Sequence, residues 1–117
     1  MKVLVMDDSR NRGAQIADLL RKRKHDVVCC TATNELMAAV QDAPPKALFL
    51  DVDAWRKSRA VLLYFGWARR LADTPIVFYN APEGFTGLQE RPRLERDAVL
   101  NKQATVENIV ESLTWSA

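Results

Sequence analysis

The chain has 117 residues, with 17 lysines and arginines against 15 aspartates and glutamates and a formal net charge of +2. That length suits one domain, 1–117, with a real core, and the interspersed, nearly balanced charges argue against a general nucleic-acid binder, which would carry a stronger basic excess or a basic stripe. No apolar stretch approaches the length of a membrane span, and the N-terminus runs straight into a strand without the apolar segment of a signal peptide, so a cytoplasmic protein is expected.

KVLVM (2–6) is apolar and β-branched without alternation, as in a central strand covered on both faces. Ser9 is placed to cap a helix running to about Lys24, with Ile16, Leu19 and Leu20 inward. The basic run Arg21-Lys22-Arg23-Lys24 reads as the solvated end of that helix, where cations complement the carbonyl end of the dipole. DVVCCT (26–31) is a second strand; Cys29 and Cys30 point to opposite faces and read as small apolar core and sheet residues. There is no C-x-x-C pattern, and the lone His25 has no ligand partner at useful spacing. Asn34 to Gln41 forms a short helix presenting Leu36, Ala39 and Val40, ended by Pro44-Pro45.

ALFLD (47–51) is the third strand. Residues 56–72 are expected to be helical, with Val61, Tyr64, Phe65, Ala68 and Ala72 on one face. PIVFYN (75–80) is the fourth strand. The stretch 82–97 contains Pro82, Gly84, Gly87 and Pro92, so any helix there is short or broken; Arg91, Arg93 and Arg96 around Pro92 read as solvated loop charge. AVLNK (98–102) is the fifth strand, and the last helix carries the stripe Val106, Ile109, Val110, Leu113. Trp55, Trp67 and Trp115 read as packing residues, Trp55 lying nearest the acids.

Five strand–helix alternations predict an α/β fold, a doubly wound parallel sheet with right-handed crossovers and helices on both faces. In such sheets ligands bind beyond the carboxyl ends of the strands. Asp7-Asp8, Asp51 and Lys102 all sit at those ends. Asp7-Asp8 alone would read as a solvated strand end; Asp51 and Lys102 turn the reading toward an acid pocket. Clustered carboxylates repel one another, and a cation or ammonium relieves the repulsion. Mg²⁺ suits the place, because it takes oxygen ligands and is commonly held by one or two carboxylates plus phosphate oxygens. The loop Asp7-Asp8-Ser9-Arg10 carries neither a G-x-G-x-x-G nor a P-loop pattern, which argues against a nucleotide-binding enzyme.

These residues resemble the receiver domains of bacterial two-component response regulators over the whole chain. The acidic pair is Asp7-Asp8, the phosphoacceptor position Asp51, the position after strand four Asn80-Ala81, and the lysine after strand five Lys102, at intervals of 43, 29 and 22 positions from Asp8 onward. The resemblance implies a flavodoxin-like (βα)5 sheet of order 2-1-3-4-5. It also implies Mg²⁺ ligated by Asp8 and Asp51, by Asp7 directly or through water, and by the backbone carbonyl of Asp53. Asp51 would be the nucleophile toward a phosphohistidine, and Lys102 would contact Asp51 before transfer and a phosphoryl oxygen afterward. The implied partners are a histidine kinase or histidine phosphotransfer protein and a downstream protein target, with self-association into a homodimer a habit of the family and no direct contact with nucleic acid or membrane. Catalysis would not go beyond self-catalysed phosphoryl transfer.

The departures from the family pattern are specific. Asn80 stands where the family has Thr or Ser, Val99 where it has a switch aromatic, and Gln103 where a Pro follows the Lys. Asp53-Ala54-Trp55 replaces the usual Met-Pro region, with Arg59 near the place of a Gly. Asn80 can donate already in the unmodified state, to Asp51. The alternative function is therefore a degenerate receiver, a protein-interaction module independent of phosphate.

Overall fold

Five short apolar runs form the strands β1 (Val3–Met6), β2 (Val27–Cys30), β3 (Ala47–Asp51), β4 (Ile76–Ala81) and β5 (Ala98–Asn101). All are parallel, in the expected order β2-β1-β3-β4-β5. The structure is a computed structural model that describes residues 2–8, 11–57, 71–87 and 94–113. Its helices among those residues are α1 (Arg12–Lys22), α2 (Thr33–Asp42), α3 (Val52–Lys57) and α4 (Val106–Glu111). The Ser9 cap, Arg59, the face of Val61, Tyr64, Phe65 and Ala68, the packing of Trp67 and Trp115, and the charges Arg91 and Arg93 lie outside the described residues. None of the described helices is long and apolar enough to cross a membrane.

Strand alternation divides the interior into two layers. Val3, Val5, Phe49, Val77 and Tyr79 meet α1 and α4 through Ile16, Leu20, Ile109 and Val110. Leu4, Met6, Leu48, Leu50 and Phe78 meet α2 and α3 through Leu36, Val40, Val52 and Trp55. The continuous apolar strands are thus explained by burial on both faces. The edge strand β2 departs from this: Val27 and Cys30 are buried, while Val28 and Cys29 are exposed. Cys29 is therefore not a core residue; an edge strand is covered on its inner flank alone.

The basic run closes α1 as the sequence predicts, but by a specific device. Lys24 adopts φ 67°, and the amides of Lys24 and His25 donate to the carbonyls of Arg21 and Leu20. That is a Schellman ending with lysine at the left-handed position glycine usually takes. Arg23 pairs with Glu111 at 3.1 Å, tying the end of α1 to α4. α4 starts with a capping box: the Thr105 hydroxyl accepts from the Asn108 amide, and the Asn108 side chain accepts from the Thr105 amide.

Two expectations are corrected in the middle of the chain. Helix begins at Val52, not at residue 56. The reason is Asp51, whose Oδ1 accepts from the amides of Asp53 at 2.9 Å and Ala54 at 3.2 Å, so the strand's last carboxylate caps the helix that follows. Ala72 is exposed, and its neighbour Leu71 is the buried residue there. β4 is anchored at its start by Asp97, whose Oδ1 accepts from the Ile76 amide at 2.8 Å and whose Oδ2 accepts from the Leu94 amide at 2.9 Å.

Two substitutions test these local accounts. Lys24→Gly should stabilise the protein by up to about 1 kcal/mol, because glycine carries no steric penalty at positive φ; a thermal melt showing loss of stability contradicts the Schellman assignment. Asp97→Ala should cost about 2 kcal/mol or more, since two amides beside β4 lose a charged acceptor; an unchanged denaturation midpoint contradicts it.

Candidate functional site

The register of the central strands builds the site. Met6 lies opposite Leu50 in the β1–β3 pair, so the next residues, Asp7 and Asp51, leave the sheet side by side. Both are buried, at 3% and 4% exposure, while Asp8 turns outward. One carboxylate oxygen from each of Asp7, Asp8 and Asp51 lies within 4.8 Å of the others. Oxygens sharing one divalent ion are separated by about 4 Å across Mg²⁺ and about 5 Å across Ca²⁺, so this all-oxygen donor set fits a hard divalent cation.

The Asp51 side chain is held asymmetrically. Its Oδ1 takes the amides of Asp53 and Ala54 and, at 3.3 Å, the side-chain amide of Asn80. Among the described residues no donor falls on Oδ2. Asn80 also donates to Asp53 Oδ2 at 3.1 Å. The expected donation from Asn80 to Asp51 is thus present, and it is shared with a second acid.

Asn80 reaches both acids because of its backbone. It has φ 56°, and the β4–β5 register slips between Phe78 and Ala81 at this point. An extra residue in a strand makes a bulge that re-aims a side chain, and asparagine is among the few non-glycine residues that accept the left-handed region.

Lys102 is not where the resemblance puts it. Its Nζ bonds Asp53 Oδ2 at 3.2 Å rather than Asp51. Asp53, one residue into α3, stands nearer the lysine than does the capped Asp51 carboxylate, and it draws Asn80 as well. The Asp53 carboxylate accordingly lies outside the acid trio. A second cation, Lys57, approaches Asp8 at 3.9 Å, and both side chains are well exposed. Trp55 is buried one helical turn beyond Asp51. Val99, in the place of the switch aromatic, is partly buried against the α2–α3 layer, as is Phe85 from the irregular stretch, whose ring meets Phe78 edge-on at 5.4 Å.

Sequence reasoning passed over three residues around Asp7. The Tyr79 hydroxyl donates to Asp7 Oδ2 at 2.5 Å. Burial, and then the negative charge of Asp7, push the Tyr79 phenol far above its ordinary pKa, which keeps its proton in place. The Arg12 guanidinium lies 5.9 Å from the centre of the Tyr79 ring and donates to the Ala104 carbonyl. Gly13 faces Asp7 so closely that a Cβ there would sit 2.9 Å from the Asp7 Cβ. One signal was available: a hydroxyl inside the buried strand PIVFYN needs a partner.

No family model matches the chain, and no curated protein matches it. Solved structures do match over nearly its full length. A response regulator protein from Burkholderia pseudomallei, whose crystal structure holds a phosphorylated aspartic acid, a calcium ion and citrate, is 21% identical with a TM-score of 0.76; the match covers 97% of this chain and 66% of that one, just under two thirds. The chemotaxis protein CheY4 of Vibrio cholerae is 18% identical with a TM-score of 0.71, covering 95% of this chain and 93% of its own. A CheY-like receiver domain protein from Methanospirillum hungatei is 19% identical with a TM-score of 0.67, covering 96% and 90%. The fold is that of the CheY-like receiver domains.

The acid trio predicts a metal response. Millimolar Mg²⁺ should change the fluorescence of Trp55, measured with Trp67 and Trp115 replaced by Phe, and Asp8→Asn should abolish the change. An emission spectrum indifferent to the ion, or one that responds equally in the Asp8 variant, rules against a cation at these acids.

Proposed function

We propose that this protein is a cytoplasmic receiver that takes a phosphoryl group onto Asp51 from the phosphohistidine of a histidine kinase or histidine phosphotransfer protein and relays the signal to a downstream protein target. The observation that carries this reading is the division of the Asp51 carboxylate into a held oxygen and a directed one. Oδ1 is fixed by two backbone amides and Asn80. The side chain thereby presents Oδ2 in a set direction, which is the alignment an attacking carboxylate needs.

In the transfer Oδ2 attacks phosphorus. The new O–P bond forms as the P–N bond to the imidazole breaks, and the electron pair of that bond stays with the imidazole nitrogen. Mg²⁺, held by Asp8 and Asp51 with Asp7 and the backbone carbonyl of Asp53, would supply positive charge opposite the phosphoryl oxygens. Lys102 begins on Asp53 and exchanges that anion for a phosphoryl oxygen. Its pair with Asp53 is half-exposed, and such surface pairs are worth at most about 1 kcal/mol, so little opposes the exchange. Catalysis by the protein extends no further than its own modification.

One observation favours the second reading, a phosphate-independent interaction module. The Asn80 amide already bridges Asp51 and Asp53 in the unmodified protein. A two-state element is biased only by contacts that differ between its states, and here much of the contact is made before phosphate arrives.

A small acyl-phosphate donor with excess Mg²⁺ should add the mass of one phosphoryl group to the intact protein and none to Asp51→Asn, read by mass spectrometry of the whole chain. A wild-type protein that keeps its mass under those conditions leaves the interaction module as the function.

A further inference from the structure

Asp7 belongs to the acid trio, yet its carboxylate is committed elsewhere as well. The Tyr79 hydroxyl, wholly inside the sheet layer under α1, donates to Oδ2 at 2.5 Å. The chain also has glycine at position 13, where any Cβ would press on Asp7 Cβ at 2.9 Å and lie 3.4 Å from Oδ2. Asp7 is therefore bonded by a phenol and closely approached by the backbone of α1. The phenol is itself braced: Arg12 lies over its ring and bonds the Ala104 carbonyl in the loop that follows Lys102. A buried hydrogen bond to a charged acceptor is among the stronger kind, and a fully buried ring in a close-packed layer does not turn readily to release it.

This bears on which cation the acids accept. Ca²⁺ takes six to eight oxygens at about 2.3–2.6 Å and readily uses both oxygens of one carboxylate, whereas Mg²⁺ takes six at about 2.0–2.1 Å in a strict octahedron and is content with single oxygens and water. With Oδ2 engaged by the phenol, gripping an ion through both Asp7 oxygens would force the ion against the phenolic proton or break the bond. We infer that Tyr79 is a positioning residue that restricts Asp7 to single-oxygen ligation and so sets the site's preference for Mg²⁺ over Ca²⁺. The inference rests on the reading of the acid trio as a divalent-cation site and adds to it a residue that touches no ion.

The test compares the wild-type chain with Tyr79→Phe, which keeps the ring under Arg12 and deletes the hydroxyl. Each is titrated separately with MgCl₂ and CaCl₂ by calorimetry, after circular dichroism has shown both folded. The wild type should bind Mg²⁺ more tightly than Ca²⁺. In Tyr79→Phe the Mg²⁺ affinity should fall about tenfold, the scale of losing a partner that orients a metal ligand, while Ca²⁺ affinity holds or rises, so the ratio drops by at least that factor. An equal loss for both ions, or no loss for either, overturns the inference and leaves the metal site standing. A wild type that binds neither ion overturns the site and the inference together.

A second measurement does not depend on the variant's folding. In a Tyr64→Phe background the Raman doublet of the remaining tyrosine should report a strong hydrogen-bond donor both without and with saturating Mg²⁺. Loss of that signature on adding Mg²⁺ means the phenol releases Asp7 when the ion binds, which also overturns the inference.

Discussion

The pairing of β1 with β3 in one fixed register is what the site depends on. It sets Met6 against Leu50 and thereby brings two acids, Asp7 and Asp51, into the same buried corner. Two carboxylates about this far apart repel by about 3 kcal/mol at an effective dielectric constant near 20. Against that stand Val3 to Met6 and Leu48 to Leu50, all at most 1% exposed, each contributing about 1.5–3 kcal/mol through burial. The core therefore outweighs the repulsion and holds the acids where they would not stay by themselves. A slip of one residue would turn every strand side chain to the other layer, so the geometry of the corner is as firm as the core.

Around that corner the charges are compensated unevenly. Asp51 is supported by backbone amides at the start of α3, Asp7 by a phenol from β4, and Asp53 by Asn80 and Lys102. Asp8 keeps to the solvent side with Lys57 at the margin of ion-pair distance. The partners come from α3, β4 and the end of β5, and Asn80 serves two of the acids, Asp51 and Asp53. That arrangement leaves the lysine outside the buried corner, at its mouth.

The strands were legible because buried parallel strands read as continuous apolar runs, their order followed from the resemblance, and the acids and lysine were legible because they end those runs. What the sequence did not disclose comes from one local cap and from placements that the tertiary fold decides. The early start of α3 follows from a cap supplied by Asp51, a residue whose role in the site drew the reading away from its role as a helix cap. The exposure of Cys29 follows from β2 being an edge strand, which the local run VVCC does not announce. Asn80 reaches Asp53, which Lys102 also contacts, because of a bulge in β4, and a one-residue register shift leaves no mark in hydrophobic spacing. Tyr79 looked like one more large side chain in an apolar strand; only the register shows its hydroxyl arriving at Asp7.

The left-handed backbone at Asn80 also limits how this sequence can change. Threonine is β-branched, and β-branched residues are poorly accommodated at positive φ. Exchanging Asn80 for Thr would therefore not simply swap an amide for a hydroxyl: it would press the strand to straighten, and a straightened strand no longer aims position 80 at Asp51. Side chain and kink thus form one unit, and placing a hydroxyl at this position involves the β4–β5 pairing as well as the side chain.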